Sequence, residues 1–187
     1  QGYDAVLQER GAAWPTSRPR PPLPQPTQVS PKLILPPATP PELAVTDFLE
    51  VFGADMARGA VFVDSANVPM AITRALFEDG NGDLKWLSKP DKASRIEYVN
   101  LLAMTLIEPD EIWWNWERSR DTGRWLLKRR YLRAFELAGS QEYGVVAFEW
   151  GRTGWSGSTA FLPDRKDPAN RAAYFDRQRL GRLVFKK

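Results

Sequence analysis

Four consecutive strand-like segments between residues 111 and 162 constrain the fold of this chain more than any other feature. The first is rich in tryptophan, which favours a pleated and half-buried surface. Short glycine-containing turns join the segments, whereas parallel strands would need crossover connections of about a dozen residues or more. The sequence therefore predicts an antiparallel meander. Its predicted strands are 111–117, 124–132, 143–150 and 155–162.

Helical patterns flank the predicted meander on both sides. Apolar residues recur at helical spacing over 44–56 and over 93–107, before the first strand. After the last strand, Pro168 opens a short basic helix that extends to about residue 179, and 181–185 form a final strand. The predicted fold class is therefore α+β, with N-terminal helices, a four-stranded antiparallel sheet, a late helix and a C-terminal strand.

The first 43 residues have a different character from the rest of the chain. Eleven of the sixteen prolines lie between Pro15 and Pro41. Such a density favours extended polyproline II and leaves too little apolar surface to fold alone. The sequence thus predicts a disordered linker over 1–43, joined to an upstream portion, and one domain over 44–187. A proline-rich docking ligand is the alternative, and residues 33–35 are the apolar run that could attach to the domain.

The chain contains no cysteine and no histidine, which excludes several kinds of site. Disulfides, thiol nucleophiles and histidine acid–base pairs are impossible, and the commonest metal ligands are absent. Residues 79–83 begin like a calcium loop, but Leu84 and Pro90 stand where the glycine and the bidentate glutamate are needed. We expect no metal and no cofactor. No apolar run approaches the roughly 18 residues of a membrane span, so no membrane partner is expected.

Positive charge is concentrated near the end of the sequence. The formal net charge is +3, yet residues 151–187 carry nine Lys and Arg against three Asp. A basic region suits a polyanionic partner, because phosphate contacts supply much of the affinity for nucleic acids. A solubilising surface is the alternative interpretation.

Three stretches, taken together, resemble a known family of phage nucleases, the barnase–EndoU–colicin–RelE class. Members of that class lie at the C-terminus of Mu-type head morphogenesis proteins or of polymorphic toxins. The resemblance covers about residues 45–187. It is carried by Phe62-Val63-Asp64 leading into 72–77, by residues 106–113, and by 129–132 followed by Gly154-Trp155 and 159–161.

The resemblance implies helices packed on a four-stranded antiparallel sheet and metal-independent cleavage of RNA on the concave face of that sheet, with tRNA among the candidate substrates. It also implies a bacterial or prophage effector that acts in the bacterial cytoplasm, delivered by a virion or a secretion system and matched by an immunity protein. Residues 1–43 would then connect to the upstream virion or delivery portion. The Glu–His pair of barnase-like enzymes has no counterpart, because the chain has no histidine.

Metal-independent RNA cleavage needs a base for the 2′-hydroxyl, positive charge beside the phosphorus and an acid for the 5′-oxygen. Glu117 and Glu149 are the candidate bases; a phenolate or amine with a lowered pKa is the alternative. Alternation along the second strand places Lys128 and Arg130 on one face and Tyr131 on the other. Lys128 and Arg130 are interpreted as a phosphate-binding floor; the alternative is that their aliphatic stems cover the sheet while their charges stay in water. Tyr131 is a candidate acid or a tyrosine at the rim of the core.

The fourth predicted strand offers hydroxyl groups among glycines, which leave room for a ligand backbone. On regular strands, Ser158 shares the face of Lys128 and Arg130, and Thr159 joins them only through a bulge. Ordinary strand residues are the alternative interpretation. The remaining candidates are substrate-binding residues: Trp155, which could stack on a base, and the cations Arg129 and Arg182.

Two other functions fit parts of the sequence. A non-catalytic, virion-associated nucleic-acid-binding module would explain the basic C-terminal region equally well. An ADP-ribosyltransferase toxin would explain a Ser-x-Ser-Thr strand after an arginine-bearing strand, but such enzymes need a late catalytic glutamate and none follows Glu149.

Overall fold

The computed structural model describes residues 16, 18–79, 81–84, 96–120, 122–151, 154–161 and 168–187. Within these residues there are three α-helices and eight strands. The helices are α1 (Pro41–Val51), α2 (Val99–Ile107) and α3 (Pro168–Arg177). The strands are β1 (Thr27–Gln28), β2 (Ala60–Val63), β3 (Pro69–Ile72), β4 (Glu111–Arg118), β5 (Trp125–Leu137), β6 (Ser140–Gly151), β7 (Gly154–Phe161) and β8 (Arg182–Lys186).

All the strands belong to one mixed sheet in the order β2-β3-β7-β6-β5-β4-β8, with β1 beside β5. Strands β4 to β7 pair antiparallel in chain order, whereas β3 pairs parallel with β7 and β1 pairs parallel with β5. The α+β class is therefore confirmed. The sheet is larger than the four strands predicted: the predicted C-terminal strand joins it as β8, and the β2–β3 hairpin and β1 extend it further.

The β5–β6 hairpin is longer than predicted and ends in a tight turn. Ala138 and Gly139 both have positive φ angles, 49° and 81°, as two-residue hairpin turns require. Strand β4 pairs with β5 only as far as Leu132, which lies opposite Glu111 at the start of β4. Strand β1 occupies this free edge, where Thr27 pairs with Phe135.

The two faces of the sheet pack against different helices. The inner face contacts α1 and α2, and its core includes Phe48, Leu102 and Phe148. The outer face is partly covered by α3, whose Phe175 packs against Trp113 on β4. Because α3 covers only part of the outer face, the end of β5 near residue 128 stays half-exposed.

The helices lie close to their predicted positions. Helix α1 ends at Val51, earlier than predicted, because Gly53 follows with a φ of 75°. Residues 93–95 of the second predicted helix lie outside the described residues, as does Leu162 at the end of the fourth predicted strand. None of the described helices is long and apolar enough to cross a membrane.

Residues 18–35, which we call the N-terminal strap, lie along the domain. The strap contains β1 and ends against α2. The backbone N–H of Leu35 donates to the carbonyl of Glu97 at 2.9 Å, and Asn100 Nδ2 donates to the carbonyl of Leu33 at 2.7 Å. Residues 33–35 therefore attach to the domain.

The first part of the strap uses its proline carbonyls as acceptors. Arg179 Nη2 donates to the carbonyl oxygens of Pro21 and Pro22, at 2.6 and 3.3 Å. Arg20 Nη2 donates to Asp176 Oδ1 at 2.7 Å. Prolines lack the N–H group but keep the C=O group, so this segment can bind a domain that supplies donors.

The strap differs from the disordered linker predicted over 1–43. The composition argument considered whether the segment could fold alone, and it did not consider partners on the domain. Residues 1–15 lie outside the described residues. The domain boundary at residue 44 stays a prediction.

Candidate active site

Four charged side chains meet at the half-exposed end of the outer face. Glu117 comes from β4, Lys128 and Arg130 from β5, and Glu149 from β6. Lys128 pairs with Glu149 in the register of β5 and β6. Side chains two residues apart on a strand share a face, which places all four on the same side of the sheet. We call these residues the outer-face cluster.

Arg130 forms the best-defined contacts in the outer-face cluster. Its Nη1 and Nη2 atoms donate to the two carboxylate oxygens of Glu117 at 2.5 and 2.7 Å, in a bidentate pair. Its Nε atom donates to Gln178 Oε1 at 3.0 Å. The Arg130 side chain is 11% exposed. The guanidinium is thus held by three hydrogen bonds to two residues, Glu117 and Gln178, and is not fully buried.

Lys128 lies between the two carboxylates of the cluster. Its Nζ atom is 3.8 Å from Glu117 Oε2 and 3.5 Å from Glu149 Oε1. The Lys128 side chain is 25% exposed, more than that of Arg130. The ammonium group is therefore shared between two carboxylates and accessible to a ligand.

The surroundings of Glu117 keep its carboxyl group ionised. Burial, the largest influence, raises its pKa, but the hydrogen bonds and the charge of Arg130, together with Lys128, outweigh burial and lower the pKa below its usual range. A carboxylate has about four acceptor positions; Arg130 occupies two of them, and the side chain of Asn115 donates a further hydrogen bond. The remaining position could accept a proton from a substrate.

The backbone of β7 places Thr159, rather than Ser158, in the cross-strand row of Arg130. Arg130 pairs with Ala147, and Ala147 pairs with Thr159. The register shifts immediately afterwards, where Phe148 pairs with Gly157, so Ser158 is the extra residue of a bulge. This bulge is the irregularity through which Thr159 was expected to join the site. The side chains of both residues lie outside the described part of the chain.

Tyr131 and Arg129 lie on the inner face, in a buried network with Asp64. The hydroxyl of Tyr131 donates to Asp64 Oδ2 at 2.5 Å, and Arg129 Nη2 donates to the same oxygen at 2.8 Å. Burial raises the pKa of Tyr131, with a further rise from Asp64 and an opposing effect of Arg129. The hydroxyl therefore stays protonated, and neither side chain is accessible to a polymer substrate on the outer face.

Trp155 and Arg182 lie apart from the outer-face cluster. Trp155 is buried and packs edge-to-face with Trp114 and Trp150, with ring centroids 6.2 and 5.4 Å away. Arg182 lies in β8, where it pairs with Trp114 at the opposite edge of the sheet from β2. Neither residue shares the site with Lys128 and Arg130.

The sequence analysis did not identify the partners of two predicted site residues: Asp64, which bonds to Arg129, and Gln178, which bonds to Arg130. A signal for Asp64 existed, because Arg129 alternates with Leu127 and Tyr131 on an apolar face, and a buried arginine needs an acidic partner. Gln178 follows α3 in an irregular segment, where no periodicity indicates the direction of a side chain. Within the described ranges, no group of three or more Asp and Glu could hold a metal ion.

One comparison with known proteins gives a match. The model of the family described as phage-Barnase-EndoU-ColicinE5/D-RelE like nuclease2 matches residues 47–186, a span that includes the outer-face cluster and Gln178. No curated protein and no solved structure matches the chain.

Proposed function

This chain belongs to the phage-Barnase-EndoU-ColicinE5/D-RelE like nuclease 2 family, and on that premise we propose that it is a metal-independent endoribonuclease whose active site is the outer-face cluster. The family supports nuclease activity. The RNA substrate, the independence from metal and the roles of the residues are the proposal. The observation that carries it is an ionised Glu117 held by Arg130 and flanked by Lys128, at a half-exposed end of the sheet.

In the proposed reaction, Glu117 takes the proton of the ribose 2′-hydroxyl. The 2′-oxygen then attacks the adjacent phosphorus, and the guanidinium of Arg130 stabilises the negative charge that develops on the phosphoryl oxygens. Lys128, oriented by Glu149, gives a proton to the departing 5′-oxygen. The P–O5′ bond breaks as the P–O2′ bond forms, so the products are a 2′,3′-cyclic phosphate and a 5′-hydroxyl.

The biological setting extends the same proposal. A nuclease of this family would act as a toxin in the bacterial cytoplasm, brought there by an upstream virion or delivery portion, and its producer would need an immunity protein. Transfer RNA is one candidate substrate. The non-catalytic alternative is supported by the pairing of Arg130 with Glu117, which a purely structural ion pair would also show.

The test is cleavage of total RNA and of an end-labelled single-stranded RNA by the purified full chain in EDTA. We expect fragments that end in a 2′,3′-cyclic phosphate, and no cleavage of an all-2′-deoxy strand. Glu117→Gln should lower the rate on the order of 10²–10³-fold, as loss of a positioned base does, whereas Glu50→Gln, on the exposed side of α1, should not. If the wild-type protein leaves the RNA intact, the proposed ribonuclease activity is wrong, and the non-catalytic nucleic-acid-binding module remains as the alternative.

A further inference from the structure

The turn between β4 and β5 carries three exposed arginines, Arg118, Arg120 and Arg124, which we call the arginine hairpin. Residues 118–130 contain six basic residues and one acidic residue, Asp121. The turn lies at the same end of the sheet as the outer-face cluster, because β4 ends at Arg118 and β5 begins at Trp125. Three exposed cations thus lie at the end of the sheet that holds the candidate active site.

Two backbone hydrogen bonds among the described residues connect the two sides of the arginine hairpin. The N–H of Ser119 donates to the carbonyl of Arg124 at 2.8 Å, and the N–H of Gly123 donates to the carbonyl of Ser119 at 2.9 Å. Gly123 has a φ of 68°, which closes the turn. The three arginines therefore belong to a hydrogen-bonded turn.

The arginines of the hairpin differ from seven other arginines in their contacts with the described carboxylates. Within the described residues, no carboxylate forms an ion pair with Arg118, Arg120 or Arg124; Arg118 Nε donates only to the carbonyl of Gly123, at 3.1 Å. The arginines that do pair with a carboxylate are Arg20, Arg74, Arg129, Arg130, Arg133, Arg171 and Arg179. Among the described residues, no carboxylate therefore competes with an anionic ligand for the side chains of Arg118, Arg120 and Arg124.

Arg124 continues the line of cations along the outer face of β5. Its carbonyl bonds to Ser119, so the ladder of β4 and β5 extends to this pair. Residues two apart on a strand are about 7 Å apart and share a face, which puts Arg124 on the same face as Lys128 and Arg130, with Leu126 between Arg124 and Lys128.

We propose that the arginine hairpin binds the phosphodiester backbone of single-stranded RNA and leads it along β5 to the outer-face cluster. The inference rests on the proposed function, and it names a binding site outside the residues that perform the reaction. Proteins that bind single-stranded nucleic acids without sequence preference usually do so with a positively charged groove that follows the phosphodiester backbone.

The test is binding of a fluorescent 2′-O-methyl RNA oligonucleotide to the full chain, by anisotropy, at several salt concentrations. For Arg120→Gln/Arg124→Gln we expect affinity to fall about tenfold or more. The slope of log K against log salt should decrease by about 1.4, since each phosphate contact to a single strand contributes about 0.7. The matched control is Lys32→Gln/Arg58→Gln, two exposed cations, one in the strap segment beside α2 and one in the loop before β2, which should bind as wild type.

Wild-type affinity and salt slope in the hairpin variant, with its melting temperature unchanged, would overturn the inference. Equal competition by a duplex of the same sequence would overturn the single-strand assignment. A 2′-O-methyl strand has no attacking hydroxyl, so binding is measured independently of cleavage. A chain that binds through the hairpin but cleaves nothing contradicts the proposed function alone; a chain that cleaves, while its hairpin variant binds normally, contradicts the inference alone.

Discussion

At the scale of single residues, the carboxylate of Asp64 accepts hydrogen bonds from four residues on the inner side of the sheet. Its Oδ1 accepts from the N–H groups of Ala66 and Val68, and its Oδ2 accepts from Arg129 and Tyr131. The Arg129 side chain is 3% exposed. The network therefore joins the turn after β2 to the centre of β5.

We predict that Asp64→Ala destabilises the protein by about 3–5 kcal/mol, because removal of one member of a buried pair leaves the other charge without compensation. Tyr131→Phe should cost less, about 1.5–3 kcal/mol, the range for a hydrogen bond to a charged group. Urea unfolding measures both. Asp83→Ala, at an exposed position, is the control, and a free energy of unfolding for Asp64→Ala equal to that of the control would disprove the structural role.

The lowered pKa of Glu117 gives a prediction for the pH dependence of cleavage. A base must be deprotonated to act, so activity should persist as pH falls and decline only below the ordinary glutamate value of 4.5. In Arg130→Gln the main lowering influence is lost, while burial remains. The acid limb of kcat/KM should then move to higher pH, in addition to a general loss of rate. Lys128→Gln should move it less, and an acid limb that stays in place in both variants would argue against Glu117 as the base.

Sequence reasoning at the residue scale succeeded where alternation decides. It separated Lys128 and Arg130 from Tyr131, and the structure confirms that these lie on opposite faces. It could not find the partners that tertiary structure brings from afar. Asp64 is 65 residues from Arg129, and Gln178 is 48 residues from Arg130.

At the scale of elements, the N-terminal strap is the part whose role can be measured directly. A chain that begins at residue 41 lacks β1, the contacts of Leu33 and Leu35 with α2, and the pair of Arg20 with Asp176. We predict a melting temperature lower by about 5–10 °C, since about 2–4 °C accompanies each kcal/mol in a domain of this size.

The contribution of the strap can be located by two truncations measured together. Deletion of 1–15 retains every contact of the strap named above, so most of the loss should appear only when the deletion extends to residue 40. At the level of one side chain, Arg20→Ala should lower the melting temperature slightly more than Arg18→Ala, whose side chain is exposed. An unchanged melting temperature after deletion of 1–40 would show that residues 1–43 act only as a linker.

The elements that sequence reasoning predicted are those with local signals. The strands of the meander show alternation and end in glycine turns, and their antiparallel pairing follows from short connections. Strand β1 has two residues, and its pairing with β5 depends on an edge that only the assembled sheet provides. The parallel pairing of Ala71 with Ser156 likewise joins two segments that are far apart in the sequence, and no local pattern indicates that they pair.

At the scale of the whole molecule, a chain with neither histidine nor cysteine has carboxylates, amines, guanidinium groups and hydroxyls for its chemistry. We predict that RNA cleavage is unchanged in EDTA and unaffected by added magnesium or calcium. The measurement is the initial rate with protein dialysed against chelator, compared with the same protein after each metal is restored. Full loss in chelator and recovery with either metal would contradict both the mechanism and the assignment of Lys128 and Arg130 as the charge-stabilising groups.

The parallel pairing of β1 with the distal half of β5 has a consequence for biosynthesis. About 100 residues separate Thr27 from its partner Phe135. At roughly 5–20 residues per second, a ribosome needs on the order of 5–20 s to make that interval. During this time the strap has no edge to join, and its prolines keep it from pairing with other nascent strands, because they cannot donate to a ladder. The proline-rich composition thus suits a segment that stays unpaired until β5 has been synthesised.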